Sequence, residues 1–333
     1  MSILVTGVAG FIGSSTARRL LERGDTVVGI DNLNDYYSVE LKQARLAALR
    51  RDFGNAFVFE QVDFADHAAL TAFAANHQFD RIVHVGAQAG VRYSIENPSA
   101  YIQSNLVGHA NMLELARQRG SSHMVYASSS SVYGGNKTLP FRVEDRVDHP
   151  LSLYAATKKA DELISESYAS LYKLPLTGLR FFTVYGPWGR PDMAMWIFTK
   201  ALLEGRPLPL YNGGDMRRDF TFIDDIVSGV VACLDGPPAP DGAEKAGGSH
   251  ASHALYNIGN SRSEELMRVV ALLEDATGKT ATFDAMGMQA GDVQDTFADV
   301  SAIARDHGYA PTTSIDVGVP RFVDWYMRYH HQN

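Results

Sequence analysis

The chain has 333 residues, 45% hydrophobic and 20% charged, with 29 Gly and 13 Pro, which suits two domains or one large α/β unit and excludes a fibrous or disordered protein. Thirty basic against 38 acidic side chains leave a net charge of −8, which repels a phosphate backbone, so no nucleic-acid partner is expected. One cysteine, Cys233, rules out an intramolecular disulfide framework and thiolate zinc sites and points to a reducing compartment.

In chain order, a strand-like run at Ile3–Val5 starts directly after the initiator Met, leaving no room for a secretion signal. No apolar stretch approaches the ~18 residues that span a bilayer, so the expectation is a cytoplasmic protein with no membrane partner. Short β-branched runs then alternate with segments of helical length, the pattern of a parallel sheet with crossover helices. Strands are expected at Ile3–Thr6, Thr26–Ile30, Ala56–Val62, Arg81–Val85, His123–Ala127 and Leu176–Phe181. The fold class is therefore α/β, a Rossmann-type doubly wound sheet over 1–180. After Phe181, Gly186, Pro187, Gly189 and Pro191 break the rhythm, and 181–333 reads as a smaller mixed α/β substrate domain, some of whose segments return to the first. Gly236–His253 has almost no large apolar residue and is expected to be a mobile surface loop. His250 and His253 within it lack a carboxylate or thiolate at ligand spacing, so they read as solvated and no metal is expected.

Gly7-Val8-Ala9-Gly10-Phe11-Ile12-Gly13 follows the first strand and opens a helix. Glycines there let the backbone approach a pyrophosphate, whose charge meets the N–H groups at the helix start. The spacing is GxxGxxG rather than GxGxxG. Asp31 ends the second strand 18 residues beyond Gly13, where a carboxylate can accept both hydroxyls of an adenosine ribose and repels a 2′-phosphate. Asn32, Leu33, Asn34 and Asp35 bring no arginine to offset that repulsion, so NAD is favoured over NADP. A tight strand-to-helix turn is the bland alternative.

Tyr154 and Lys158 stand one helical turn apart in a segment whose Leu153, Leu163, Ile164, Tyr168 and Leu171 read as an amphipathic helix. A phenol ionises near pH 10, and a neighbouring ammonium plus an oxidised nicotinamide would stabilise the phenolate and make Tyr154 a general base. Ser128 to Ser131 end the fifth strand at the sheet edge where such folds bind ligands. Each signal alone has an ordinary explanation.

GxxGxxG, Ser129 placed 25 residues before Tyr154, Val132-Tyr133-Gly134, Arg180-Phe181-Phe182-Thr183-Val184-Tyr185-Gly186-Pro187 and Arg218-Asp219-Phe220-Thr221-Phe222-Ile223-Asp224-Asp225 occur in one order. As a set, spanning nearly the whole chain, they resemble the extended short-chain dehydrogenases/reductases of the nucleotide-sugar branch. The resemblance implies Ser129, Tyr154 and Lys158 as catalytic residues and an NAD site of Gly7, Gly10, Phe11, Ile12, Gly13, Asp31, Asn32, Asp63, Phe64, Ala87, Asn105, Tyr154, Lys158 and Tyr185. Asp63 falls at the adenine and Tyr185 at a wall of the nicotinamide site. It also implies Arg218 as a diphosphate clamp, Asp292 at the uridine ribose, and a homodimer pairing the Tyr154 helix and the helix near Ser99–Gln118 with their copies. Two positions depart from the family pattern: Gly86, where relatives usually carry Ala, and Gln289, where some place a second diphosphate-binding Arg.

Dehydratases and decarboxylases of the branch place an acid just before Val-Tyr-Gly, for proton chemistry at sugar C5. Here that position is Ser131. Together with Ala89-Gly90-Val91-Arg92-Tyr93-Ser94, Thr183 and Trp188-Gly189-Arg190-Pro191-Asp192-Met193, this resembles the UDP-glucuronate 4-epimerases. The implied chemistry is oxidation at C4, rotation of a bound 4-keto sugar and return of the hydride to the other face. Ser129, Ser130, Thr183 and either Arg190 or Arg92 suit a hexuronate carboxylate, because charge-assisted hydrogen bonds are strong. Arg92 reads equally well as an exposed loop cation. The competing readings are a 4-epimerase of UDP-glucose or UDP-N-acetylhexosamines, a UDP-glucuronate decarboxylase, and a non-enzymatic NAD-binding sensor.

Overall fold

Six of the apolar runs become parallel strands, and a seventh joins them from far along the chain. The computed structural model describes residues 2–287 and 295–331. The strands are Ser2–Thr6 (β1), Thr26–Asp31 (β2), Phe57–Gln61 (β3), Arg81–His84 (β4), His123–Ser129 (β5) and Leu176–Phe181 (β6), all within two residues of expectation. Shorter strands follow at Thr183–Tyr185 (β7), Leu208–Tyr211 (β8), Arg217–Arg218 (β9) and Phe220–Phe222 (β10), then His253–Ile258 (β11). The main sheet has the order β11-β6-β5-β4-β1-β2-β3, every pair parallel. The order reverses between β1 and β4, the switch point at whose carboxyl edge such sheets open a crevice for ligands.

Helices cover both faces, which is why Ile3, Leu4 and Val5 are all completely buried and the strands read as continuous apolar runs. One apolar cluster joins β1 and the helices Phe11–Glu22 and Ile223–Asp235 to Trp196, Phe322 and Tyr326 of the C-terminal part. The opposite face packs Leu70, Phe73, Met112, Leu113 and Ala169 against Leu4 and Ile82. None of the described helices is long and apolar enough to cross a membrane.

The stretch 236–253 departs from the reading at its end. His250 is exposed, but His253 opens β11 and is 2% exposed. Its Nδ1 lies 2.7 Å from Glu166 Oε2 and its Nε2 2.8 Å from the Tyr126 hydroxyl. The pairing of β11 with β6 draws it inward, a contact between segments far apart in sequence that loop composition cannot reveal.

Candidate active site

The glycine-rich turn is built by contact of backbones at the switch point. Gly7 has φ +65°, and a Cβ there would sit 2.6 Å from Gly86 Cα; a Cβ on Gly13 would sit 2.1 Å from the Gly7 carbonyl oxygen. No larger residue fits, and the helix Phe11–Glu22 begins with its N–H groups at this cradle. Asp31 is buried, accepting from the N–H groups of Ala9 (3.2 Å) and Leu33 (2.8 Å). Burial raises its carboxyl, opposed by the Leu33 N–H, by Lys42 and by the Ala9 N–H. Asn32 Nδ2 donates to Asp63 Oδ2 at 3.1 Å, so the segments after β2 and β3 are joined side by side. These residues fit the adenosine half of a dinucleotide.

Phe64 is different. Its ring is buried between Gly86 and Gly108, and a Cβ on either glycine would come within 2.6 or 2.4 Å of ring carbons. The side chain therefore faces inward, and its bulk accounts for glycine rather than alanine at position 86. Asn105, buried in a π-helical turn at Ile102–Val107, accepts from the Gln88 N–H (2.9 Å) and donates to the Gln88 carbonyl (3.1 Å) and Thr157 Oγ1 (3.0 Å). Its amide ties the loop after β4 to the Tyr154 helix. Tyr185 is likewise interior: 3% exposed, its ring against Phe220 and Phe222 and its hydroxyl 3.4 Å from the Ser314 carbonyl. The ring is packed into the core beside β10. Ala87 is half-buried in the loop beside Gln88.

Tyr154 and Lys158 lie in the first turns of the helix Leu153–Tyr172, whose start is capped by Ser152 Oγ accepting from the Ala155 N–H at 3.1 Å. The Tyr154 ring packs edge-on to Tyr101 at 5.9 Å, and the Tyr101 hydroxyl donates to the Gly90 carbonyl at 2.5 Å. The phenol is thereby seated against the loop that follows β4. Lys158 is 4% exposed with Nζ 3.0 Å from Asp161 Oδ2. The four serines divide their work: Ser128 donates to Glu162 Oε1 (2.7 Å), Ser129 Oγ accepts from the Ser131 N–H (3.2 Å), and Ser130 and Ser131 are half-buried. Ser129 pairs in register with Phe181 at the end of β6, and Thr183 opens β7 two residues further along the chain. Thr183 N–H donates to the Asp219 carbonyl at 3.2 Å, so Arg218 approaches the same edge, half-buried and opposite Glu264.

Arg190 is clamped by Asp192, Nε to Oδ1 at 3.0 Å and Nη2 to Oδ2 at 2.5 Å, and Tyr36 donates to Asp192 at 3.1 Å. Arg92 is exposed, its guanidinium 4.5 Å over the Tyr211 ring. Neither guanidinium is presented as an unmatched cation. Asp292 and Gln289 lie outside the described residues. Among the described residues, no group of three His, Cys, Asp or Glu could hold a metal.

Two supporting residues went unread in the sequence. Arg45, 2% exposed, donates to the carbonyls of Ala9 (2.9 Å) and Trp188 (2.6 Å) and so ties the glycine turn to the segment after β7. Arg180 grips Glu162 with Nε to Oε1 at 2.8 Å and Nη2 to Oε2 at 3.0 Å, both side chains 1% exposed. An arginine in a core strand gives no pattern that names its partner, although Arg180 falls inside one of the recognised motifs.

A glycine cradle, a buried carboxylate at the end of β2, a Ser at the end of β5 and a Tyr and Lys in the first turns of one helix are the residue types that removal of a hydride and a proton from a secondary alcohol calls for. The chain belongs to the NAD dependent epimerase/dehydratase family, whose model matches residues 3–259. Over 98% of its length it is 47% identical to a probable UDP-glucuronate 4-epimerase of Rhizobium meliloti, of which the match covers 97%. It is 45% identical to UDP-glucuronate 4-epimerase 3 of Arabidopsis thaliana, covering 99% of this chain and 77% of that one. The crystal structure of UDP-glucuronic acid 4-epimerase from Bacillus cereus, in complex with UDP-glucuronic acid and NAD, superposes with a TM-score of 0.87 at 32% identity, covering 99% of this chain and all of that one.

Proposed function

We propose that this protein interconverts UDP-glucuronate and UDP-galacturonate by 4-epimerisation with a resident NAD. The observation that carries the reading is the whole-chain likeness to the Bacillus cereus enzyme holding both ligands, supported by the 47% identical Rhizobium meliloti relative. The residues 181–333 are read as chiefly the substrate-binding part. NAD, when bound, supplies an acceptor for the C4 hydride and returns it to either face.

The chain's own groups do the rest. Tyr154 takes the 4-OH proton and later gives it back, Lys158 stabilises the phenolate, and Ser129 hydrogen-bonds the same oxygen. A keto group at C4 is β to the C6 carboxylate, and such an acid loses carbon dioxide once its breaking bond aligns with the carbonyl π system. Ser129, Ser130 and Thr183 hold the carboxylate out of that alignment, and the hydroxyl of Ser131 offers no acid to protonate C5. Arg190, already matched by Asp192, takes the smaller part in holding the carboxylate.

The protein is further read as a cytoplasmic homodimer. Leu113 and Ile164 are turned into the core, whereas Leu163 (60% exposed) and Leu171 (71%), with Ile102 and Val107, are exposed. An apolar face on the Tyr154 helix and its neighbour supports pairing with a copy. The test is a panel of UDP-glucuronate, UDP-glucose and UDP-N-acetylglucosamine with purified protein. UDP-glucuronate should turn over at least tenfold faster in kcat/KM, a ~1.4 kcal/mol preference; equal or better turnover of a neutral sugar overturns the assignment.

A further inference from the structure

Apart from two carboxylates on its own helix, Lys158 is buried among groups that carry no charge. From β4 comes His84, pushed down to about 3 by burial and by Lys158 itself. The helix Gly108–Arg119 brings His109, held well below its ordinary value by burial and then by His84 and Lys158. Tyr126 on β5 is kept a neutral phenol by burial. On the lysine's own helix, Glu162 is occupied by Arg180, Ser128 and Lys159. That leaves Asp161, 0% exposed, as the carboxylate in ion-pair contact with Lys158 among the described residues.

Asp161 in turn has almost nothing else to bind. Its Oδ1 has no hydrogen-bond partner among the described residues, unlike Asp31 with two backbone N–H donors or Asp225 with those of Thr312 and Thr313. A fully buried ion pair is weak evidence for stability, because desolvation offsets its attraction and apolar residues often serve as well. Its presence one to two turns beyond Tyr154 calls for another reason. We propose that Asp161 is a positioning residue: its carboxylate is the counter-ion that keeps the buried Lys158 protonated and fixes Nζ beneath the Tyr154 phenol. The proposal rests on reading Tyr154 and Lys158 as the acid–base pair. Burial disfavours an isolated ammonium, and an anion in contact restores it. Burial also pushes the Asp161 carboxyl up to about 6, with Lys158 opposing, so above that pH the pair is ionic.

Asp161→Asn keeps the shape and removes the charge; Asp161→Glu keeps the charge. In protein labelled with 13C at lysine Cε, with the Lys158 resonance assigned through Lys158→Arg, the Asp161→Asn variant should lose the Lys158 proton about 1–3 pH units below wild type, with or without NAD bound. Its kcat should fall on the alkaline side over the same interval with KM unchanged, and Asp161→Glu should follow wild type. The same Lys158 titration in Asp161→Asn and wild type overturns the proposal. Should Asp161→Asn not fold, 13C-carboxyl titration of the wild-type protein decides: Asp161 should protonate near pH 6, and a carboxyl protonated through about pH 8 overturns it. A shifted lysine titration in a protein that does not turn over UDP-glucuronate would fault the substrate assignment and leave the role of Asp161 standing.

Discussion

Arg180→Met removes one half of the buried pair that joins the Tyr154 helix to the sheet. In the native protein Glu162 receives two bonds from Arg180, one from Ser128 and a contact from Lys159 at 3.3 Å, and Arg180 also reaches the Tyr133 hydroxyl (3.0 Å) and Val143 carbonyl (3.2 Å). Burial alone would raise the Glu162 carboxyl, but Arg180 and its other partners hold it below 4.5. The variant leaves a carboxylate at 1% exposure without its main partner, so the loss should be about 3–5 kcal/mol. Denaturant unfolding followed by circular dichroism at neutral pH measures it. Glu162→Leu combined with Arg180→Met should recover part of the loss, since no uncompensated charge remains. The pH dependence should also invert. In wild type, the Glu162 contribution is complete above 4.5 and is lost as pH falls through its lowered value; in Arg180→Met the carboxyl is raised, so stability should fall as pH rises past 4.5. A loss below about 1 kcal/mol, within the range of exposed pairs, would refute the reasoning.

Gly86→Ala should cost about 1–3 kcal/mol by overpacking, because the new Cβ meets Phe64 Cε1 at 2.6 Å while Gly108 blocks the ring's retreat; thermal unfolding should show partial rescue by Phe64→Leu. Thr183→Ala or Ser130→Ala should slow epimerisation and raise the fraction of UDP-pentose, each effect worth ~1–3 kcal/mol in partitioning. Mass-resolved single-turnover products check this, and an unchanged ratio limits both side chains to binding. Light scattering at micromolar concentration should give twice the mass of the chain, and Leu163→Glu with Leu171→Glu should shift it toward monomer; a monomeric wild type rejects the proposed interface.

The strands and glycine turn were legible because local pattern and backbone need coincide there: β-branched runs buried on both faces, and positions such as Gly13 where the Gly7 carbonyl leaves no space. Tyr154, Lys158 and Ser129 were legible as motif, and the register of β5 with β6 sets Ser129 opposite Phe181, at the end of its strand. Long-range matching was not legible. His253 reads as loop until β11 pairs with β6, and Asn105 and Tyr185 sit in motif positions whose side chains are engaged by Gln88 and by the Phe220–Phe222 cluster. Arg45 and Asp161 have meaning only through partners fixed by tertiary packing: the carbonyls of Ala9 and Trp188 for one, and the buried setting of Lys158 for the other.

Hydride removed from C4 and returned to the same carbon is the central claim, and UDP-glucuronate carrying deuterium at C4 tests it most directly. Incubated with purified protein and no added NAD, it should yield UDP-galacturonate that retains the deuterium at C4, as read by mass and proton NMR. Loss of the label to solvent, a UDP-pentose as main product, or turnover that consumes added NAD one for one would contradict it.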